Sequence, residues 1–280
     1  YDSGMSTREN REVEGRAAAK SFTLMFTVAG VAPVLAPLMG SLLIGPIGWR
    51  GILWVVAGLG VLTFLAVVFG LRETQPPGLR QAAREASTVA ALRVVVRTSG
   101  YWVPTLVSVA CFATLMAYIS ASPFVYQDVM GLSEVGYGVA FGVNAVGITA
   151  AGWVAGRLLD RLGPRTIARA ATLLQALASL VFLACALVEA PRLLYAVPIF
   201  LAVVSVGGIM GNASALAMSR VREVAGMGSA VLGFTQFLAG ALVSPLVGLG
   251  GARSAVAPAL VMTMTAGLGA LLARRLAPAP

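Results

Sequence analysis

Histidine is missing from this chain altogether, and charge is scarce: only 11% of its 280 residues are Asp, Glu, Lys or Arg. Without histidine there is no imidazole to relay protons or to ligate a metal. Cysteine occurs twice, at Cys111 and Cys185. Each lies inside a long apolar run, so both read as small packing residues rather than as a disulfide or a metal site. No acidic dyad, Ser/His pair or metal-ligand cluster is present, so the chain is read as a non-enzyme with no cofactor and no metal. Soluble domains carry about 25% charged residues. A chain with less than half that share, and with 58% hydrophobic residues, belongs in a bilayer. The net charge of +9 invites a nucleic-acid reading, but the arginines do not gather on one segment. They alternate between gaps, which is a pattern of membrane orientation. The lipid bilayer is therefore the expected partner, and nucleic acid is not.

What the chain does have is length without charge. Charged residues divide it into eight charge-free intervals, 21–49, 51–71, 98–127, 135–156, 170–188, 193–219, 224–252 and 254–273, each of 19 residues or more. About 20 apolar residues span a bilayer as a helix, and backbone in lipid must satisfy itself in helices or closed barrels. These runs are too long and too evenly apolar for barrel strands. The expected fold is all-α and membrane-integral, with eight transmembrane helices. Lys and Arg in the successive gaps number 4, 1, 5, 0, 4, 1, 2, 1 and 2, so alternate gaps hold 17 on one side and 3 on the other. That asymmetry predicts both termini in the cytoplasm. Residues 1–20 are polar and mixed in charge, and they begin with Tyr1. They read as a cytoplasmic loop, and the expectation is a piece of a longer protein whose upstream spans are missing. Within 72–97, Gln75-Pro76-Pro77-Gly78 breaks the preceding helix, and Leu79 to Arg97 reads as a basic amphipathic segment on the membrane surface.

The densest polar stretch is Gly156-Arg157-Leu158-Leu159-Asp160-Arg161-Leu162-Gly163-Pro164-Arg165. It lies between two long charge-free runs, with Asp160 where the preceding helix is expected to end. It resembles the cytoplasmic loop signature of the major facilitator superfamily, G-x3-D-R-x-G-x-R, at Gly156, Asp160, Arg161, Gly163 and Arg165. The run from Gly30 through Pro33 and Pro37 to Gly40, followed by Gly48-Trp49-Arg50, is similar to the fifth-span antiporter motif of twelve-span drug:proton antiporters. More closely it resembles the Bcr/CflA branch, the bicyclomycin and chloramphenicol exporters. Tyr118 to Val125, Gly131-Leu132-Ser133 with Phe141 to Ala145, Gly211 to Ala217, and Gly226 to Ala230 with Leu232 to Phe237 fit the same branch. Ala36 and Ser41 stand where glycine is usual in the antiporter motif, and both are small enough to keep helices close. The resemblance implies a superfamily helical bundle of twelve spans, of which this chain holds spans five to twelve. Residues 1–71 would end the first six-helix half, 72–97 would form the central linker, and 98–280 would form the second half. An internal echo of Ala36-Pro37-Leu38-Met39-Gly40 in Ser244-Pro245-Leu246-Val247-Gly248 agrees with a parallel repeat of that kind.

Pro33 and Pro37 each remove a backbone donor and, four residues apart, fall on nearly one face of the first span. Gly30 and Gly40 bracket them and permit close packing. The resemblance implies that this element seals the pathway and favours antiport, and that the Asp160 loop latches the two halves together. Uncharged polar residues recur on spans that the resemblance places around a central cavity. They are Tyr118, Ser120, Ser122, Asn144, Asn212 and Gln236. An amide in hydrocarbon needs a partner, so each either bridges helices or lines a polar patch in an apolar pocket. The patch formed by Tyr118, Ser122, Asn144, Asn212 and Gln236 suits small hydrophobic or amphiphilic drugs. Gln175, on a span the resemblance puts at the periphery, reads as structural. All 11 acids lie in or beside the gaps, and a proton-coupled transporter needs a protonatable group in its pathway. The proton site is therefore expected in the missing spans. The expected protein is a monomeric exporter of drug-like compounds in the bacterial inner membrane, working by alternating access and proton antiport. The alternatives are a superfamily exporter of a sugar or other metabolite, against which the few charged and aromatic cavity residues argue, and a non-transporting, superfamily-derived sensor.

The charge asymmetry makes a direct prediction. Cysteines placed at Gly131, Arg192 and Gly251 react with an impermeant maleimide added to intact cells, and cysteines at Arg80, Pro164 and Ala277 do not. The reverse pattern overturns the orientation.

Overall fold

The computed structural model describes residues 39–40, 42–70, 87–251 and 254–276, and no strand occurs among them. The elements are α1 (Leu42–Gly70), a short α2 (Thr88–Arg97), α3 (Ser99–Pro123), α4 (Glu134–Leu187), α5 (Ala196–Met218), α6 (Ala225–Val243) and α7 (Val256–Ala273). A wider turn, Phe124–Val129, continues α3, while tighter turns, Arg192–Tyr195 and Arg222–Val224, lead into α5 and α6. All but α2 are long and apolar enough to cross a membrane. Of the antiporter motif, Gly30, Pro33 and Pro37 lie outside the described residues, as do the Gln75–Gly78 break and Leu79 to Ala86 of the linker; Gly40 is described.

The described residues thus hold six membrane-length helices, where the charge-free intervals predict eight. Most of the first interval is outside the described residues, and its end runs into the second through Trp49 and Arg50 as α1, with Gly48 at φ 63°. The intervals 135–156 and 170–188 fall in the two helices of α4, which meet at a kink and count together as one element. The reason is that charge is not what interrupts a helix. Helical structure continues past Asp160 and Arg161 to Leu162, and the break comes at Gly163, with φ 71° and ψ 158°. That backbone region is essentially closed to residues with a Cβ. Pro164 then opens the next arm, where a missing N–H costs nothing. Gly163 divides α4 into arms at 134–162 and 164–187.

Helix α5 shows that the arms fold back on each other. A Cβ on Gly207 would lie 2.2 Å from the Ile148 carbonyl oxygen and 2.7 Å from the Gly152 nitrogen, in the first arm. A Cβ on the adjacent Gly208 would lie 3.0 Å from Ala171 in the second arm. A straight helix would hold residues 150 and 170 about 30 Å apart, so two consecutive residues could not reach both. Hydrogen bonds fasten the other contacts. Thr114 and Thr265 pair at 2.8 Å between α3 and α7, and Thr263 donates to the Ser179 carbonyl between α7 and the second arm. Tyr101 donates to the Gly228 carbonyl at 2.6 Å between α3 and α6. Gln175 donates to the Ala202 carbonyl at 3.3 Å, which ties the second arm to α5 and fits a structural role. Arg169 clasps the end of α7 by donating to the main-chain carbonyls of Ala273, Arg274 and Leu276.

Of the amphipathic segment expected at Leu79 to Arg97, the described part is helical as α2, capped by Ser87, whose hydroxyl accepts from the Ala90 N–H. It buries Val95 with Tyr101, Ala217 and Val221, so part of its apolar face packs on the bundle.

The Gly207 crossing generates a stability prediction. Gly207→Ala pushes two backbones apart and costs about 1–3 kcal/mol, the range for overpacking. Gly211→Ala, one turn away with open space around it, is neutral. Thermal midpoints of the two purified variants in one detergent check this; equal midpoints remove Gly207 as the closest point of the packing.

Candidate functional site

Pro123 creates the local geometry. It has no N–H to give to the Ile119 carbonyl one turn back, and the Ser122 hydroxyl donates to that carbonyl instead, at 2.9 Å. The chain then winds as a wider turn through Phe124–Val129, with Met130 N–H reaching back five residues to the Val125 carbonyl at 2.9 Å. Eight residues of regular α-helix would carry Tyr126 about 80° around the axis from Tyr118. The wider turn reduces that offset, and both rings face Asn144. Such turns are frequent at functional sites.

Asn144 lies in the first arm of α4, ten residues from its start at Glu134. Its Nδ2 donates to the Tyr118 hydroxyl at 2.9 Å and to the Tyr126 hydroxyl at 2.8 Å. Both amide hydrogens are therefore used within the protein, and no bond reaches Oδ1 among the described residues. Ser122 lies 3.3 Å from the Tyr137 hydroxyl. Tyr118 stacks on Phe141 with centroids 5.7 Å apart, and Tyr137 meets both Phe141 and Tyr126. The cavity beside Tyr118 and Tyr126, walled by Phe182, Ile199 and Met262, has a volume of about 10 Å³, room for about one water. On a neighbouring face of the same arm an open, apolar groove of about 530 Å³ runs along Gly138, Gly142, Val146 and Phe200.

The structure brings Tyr118, Ser122 and Asn144 together and leaves Gln236 and Asn212 in other settings. Gln236 donates to the Ser108 hydroxyl at 2.8 Å, and Ser108 lies 3.3 Å from Ser214. This second cluster joins α6, α3 and α5. Asn212 donates to the Gly208 carbonyl of its own helix at 2.9 Å. Ser120 pairs with Ser244 at 3.0 Å, just before Pro245. Among the described residues every buried polar side chain is uncharged. Tyr126 and Tyr137 were missed from the sequence. Tyr126 stands eight residues after Tyr118 and comes into place only through the turn behind Pro123. Tyr137 stands four residues before Phe141 and seven before Asn144, a helical spacing that could have flagged it.

The polar knot is two helix ends around Gly163. Asp160 is exposed in the last turn of the first arm and has no ion-pair partner among the described residues. Arg157 lies over the Trp153 ring, 3.6 Å from its centroid, instead of pairing with Asp160. Arg161 is exposed as well, a Cβ on Gly156 would meet open space, and Arg165 buries its Nε without a hydrogen-bond partner.

Comparison with known proteins bears on the whole chain. The sequence profile of the Major Facilitator Superfamily matches residues 12–244. The chain is 29% identical over 259 residues, 92% of its length, to an uncharacterized MFS-type transporter, YdgK, of Bacillus subtilis, and covers 64% of that protein. It is 27% identical over 233 residues to a bicyclomycin resistance protein homolog of Haemophilus influenzae, 81% of this chain and 56% of the relative. It is also 27% identical over 243 residues to the multidrug resistance protein MdtL of Klebsiella pneumoniae, 85% and 59% of the two chains. The chain thus spans 56–64% of the length of these relatives. With its all-helical architecture and its membrane-length apolar helices, this chain is a multi-pass membrane protein and belongs to the major facilitator superfamily.

Proposed function

We propose that this chain is part of an efflux transporter that moves small hydrophobic or amphiphilic drugs out across the bacterial inner membrane by alternating access and proton antiport. In this reading residues 1–71 end one six-helix half, 72–97 link the halves, and 98–280 form the second, with both termini cytoplasmic. The relatives named for multidrug and bicyclomycin resistance support the substrate class. The observation that carries the reading is the Tyr118–Asn144–Tyr126 network. It is a buried, uncharged set of aromatic and amide groups inside a bundle whose other buried polar groups are also uncharged. Such a lining offers rings and single hydrogen bonds to a ligand, and no counter-charge for an ionic one. Asn144 keeps its carbonyl oxygen for a donor on the substrate. The adjoining cavity of about 10 Å³ is far below the roughly 300 Å³ a drug needs, so substrate entry requires this region to open. The carboxylates at Asp128, Glu134, Asp160, Glu189 and Glu223 stand at helix ends, so proton coupling draws on a group outside 99–273.

The network yields a prediction in the intact transporter. Interhelical hydrogen bonds in membranes are worth about 0.6 kcal/mol each, so losing two is too little to remove the protein from the membrane. Asn144→Ala therefore leaves abundance near that of the parent and shifts the ratio of resistance levels between two drugs by about fivefold, the equivalent of roughly 1 kcal/mol. Loss of the protein with unchanged ratios makes Asn144 a structural bridge.

Asp160 yields another. A carboxylate in the last turn of a helix opposes the dipole by about 0.3–1 kcal/mol, and no arginine forms an ion pair with it among the described residues. We infer a latch from Asp160 to the N-terminus that the sequence predicts for the first span near Ser21, which lies outside the described residues; it would be present only when the cytoplasmic side is closed. Asp160→Asn folds, slows export and lowers crosslinking between cysteines at Ser21 and Leu159. Slow export with undiminished crosslinking removes the latch.

A further inference from the structure

We propose that the groove between the second arm of α4 and α7, at the arginine-bearing end of the bundle, binds an anionic phospholipid. The groove has a volume of about 500 Å³. Its walls include Leu173 and Ala176 on one helix and Gly267 and Ala270 on the other, and Arg169 and Arg274 stand at one end. Positions 169, 173 and 176, like 267, 270 and 274, recur at intervals of three and four, so each set forms one stripe on its helix. The small side chains make the trough, and a Cβ added at Gly267 would meet nothing within 4 Å. Leu173 is 52% exposed and Leu271, on the opposite wall, is 59% exposed, so the trough opens on the outer face of two membrane-length helices. From Gly267 to Arg274 it runs about 10 Å.

Lipid tails surround such a surface and fill the trough. A tail is no more attracted to leucine than to another tail, so filling alone selects no particular lipid. Selection comes from the charged end. Arg169 gives its Nε and Nη2 to the carbonyls of the last turn of α7, which holds its guanidinium still and leaves Nη1 without a partner among the described residues. Arg274 is exposed at the mouth. Arg165, one turn before Arg169 on the same helical face, has a buried Nε with no hydrogen-bond partner. No carboxylate lines the groove. Guanidinium groups over an apolar trough match a phosphodiester of net negative charge carried on acyl chains. A zwitterionic lipid brings the same phosphate with a cation that these arginines repel.

The test uses the intact protein with Cys111→Ala and Cys185→Ala, and a fluorophore on Leu180→Cys, one turn beyond Ala176. Phosphatidylglycerol or phosphatidylcholine with a nitroxide on the acyl chain is titrated into neutral detergent. Phosphatidylglycerol is expected to quench at a mole fraction at least about fivefold lower, the worth of one arginine at an anionic headgroup. Arg274→Gln narrows that gap by about fivefold, and Gly267→Leu, which fills the trough, abolishes quenching by both lipids at low mole fraction. Inorganic phosphate displaces neither. Equal quenching by the two lipids in the parent overturns the proposal, as does a gap unchanged by Arg274→Gln. Displacement by phosphate identifies a simple anion site instead. Absence of quenching by either lipid means that protein, such as a second copy of the chain, covers the groove, and it too overturns the proposal.

Discussion

Helices in lipid gain nothing by hiding leucine from one another, because the surrounding tails are equally apolar. They stay together through close approach and through hydrogen bonds that have no better partner. Among the described glycines the tightest approach is where Gly207 and Gly208 wedge α5 between the two arms of α4. The fold-back at Gly163 makes the wedge possible, and the wedge keeps the fold-back closed. Asn144 lies one turn along the same arm from Ile148, so the direction in which its amide points is set by that crossing. The rest of the bundle is tied on by single hydrogen bonds such as Thr114 to Thr265 and Tyr101 to Gly228.

Polarity divides along the helix axes. Between the ends the buried polar groups are hydroxyls and amides, mostly bonded to each other or to the main chain. At the ends stand the arginines and the carboxylates. A bundle built this way has an interior that responds weakly to ionic ligands. Its charge is confined to the rims. Asp160 is the one carboxylate at the Gly163 turn, beside four arginines that do not pair with it.

Much of this was legible in the sequence. Apolar runs free of charge gave the membrane-length helices, because a missing charge is a cumulative signal over some 20 residues. The resemblance put Tyr118, Ser122, Asn144, Asn212 and Gln236 in one patch, whereas Gln236 and Asn212 bond elsewhere; Gln175 read as structural because the resemblance puts its span at the periphery. The breaks were less legible. Arg157, Asp160 and Arg161 suggested a loop, yet arginine is a good helix former and the chain turns only at Gly163. The place of Tyr126 depends on how the chain rewinds after Pro123, and no pattern of spacing reports a change of pitch. The Gln236–Ser108–Ser214 cluster joins three helices, and a single sequence carries no record of which faces meet.

The clasp made by Arg169 is directed at main-chain oxygens, not at side chains. A contact of that kind is indifferent to which amino acids occupy 273–276, provided the turn keeps its shape. The clasp itself reads no side chain there, although Ala273 and Leu276 are held to apolar types by their burial in the core. The demand falls instead on residue 169. A lysine carries the same charge, but its single ammonium cannot reproduce a planar fork that serves three carbonyls at once. Two segments about a hundred residues apart in the chain are thus joined by an interaction whose whole specificity sits on one side.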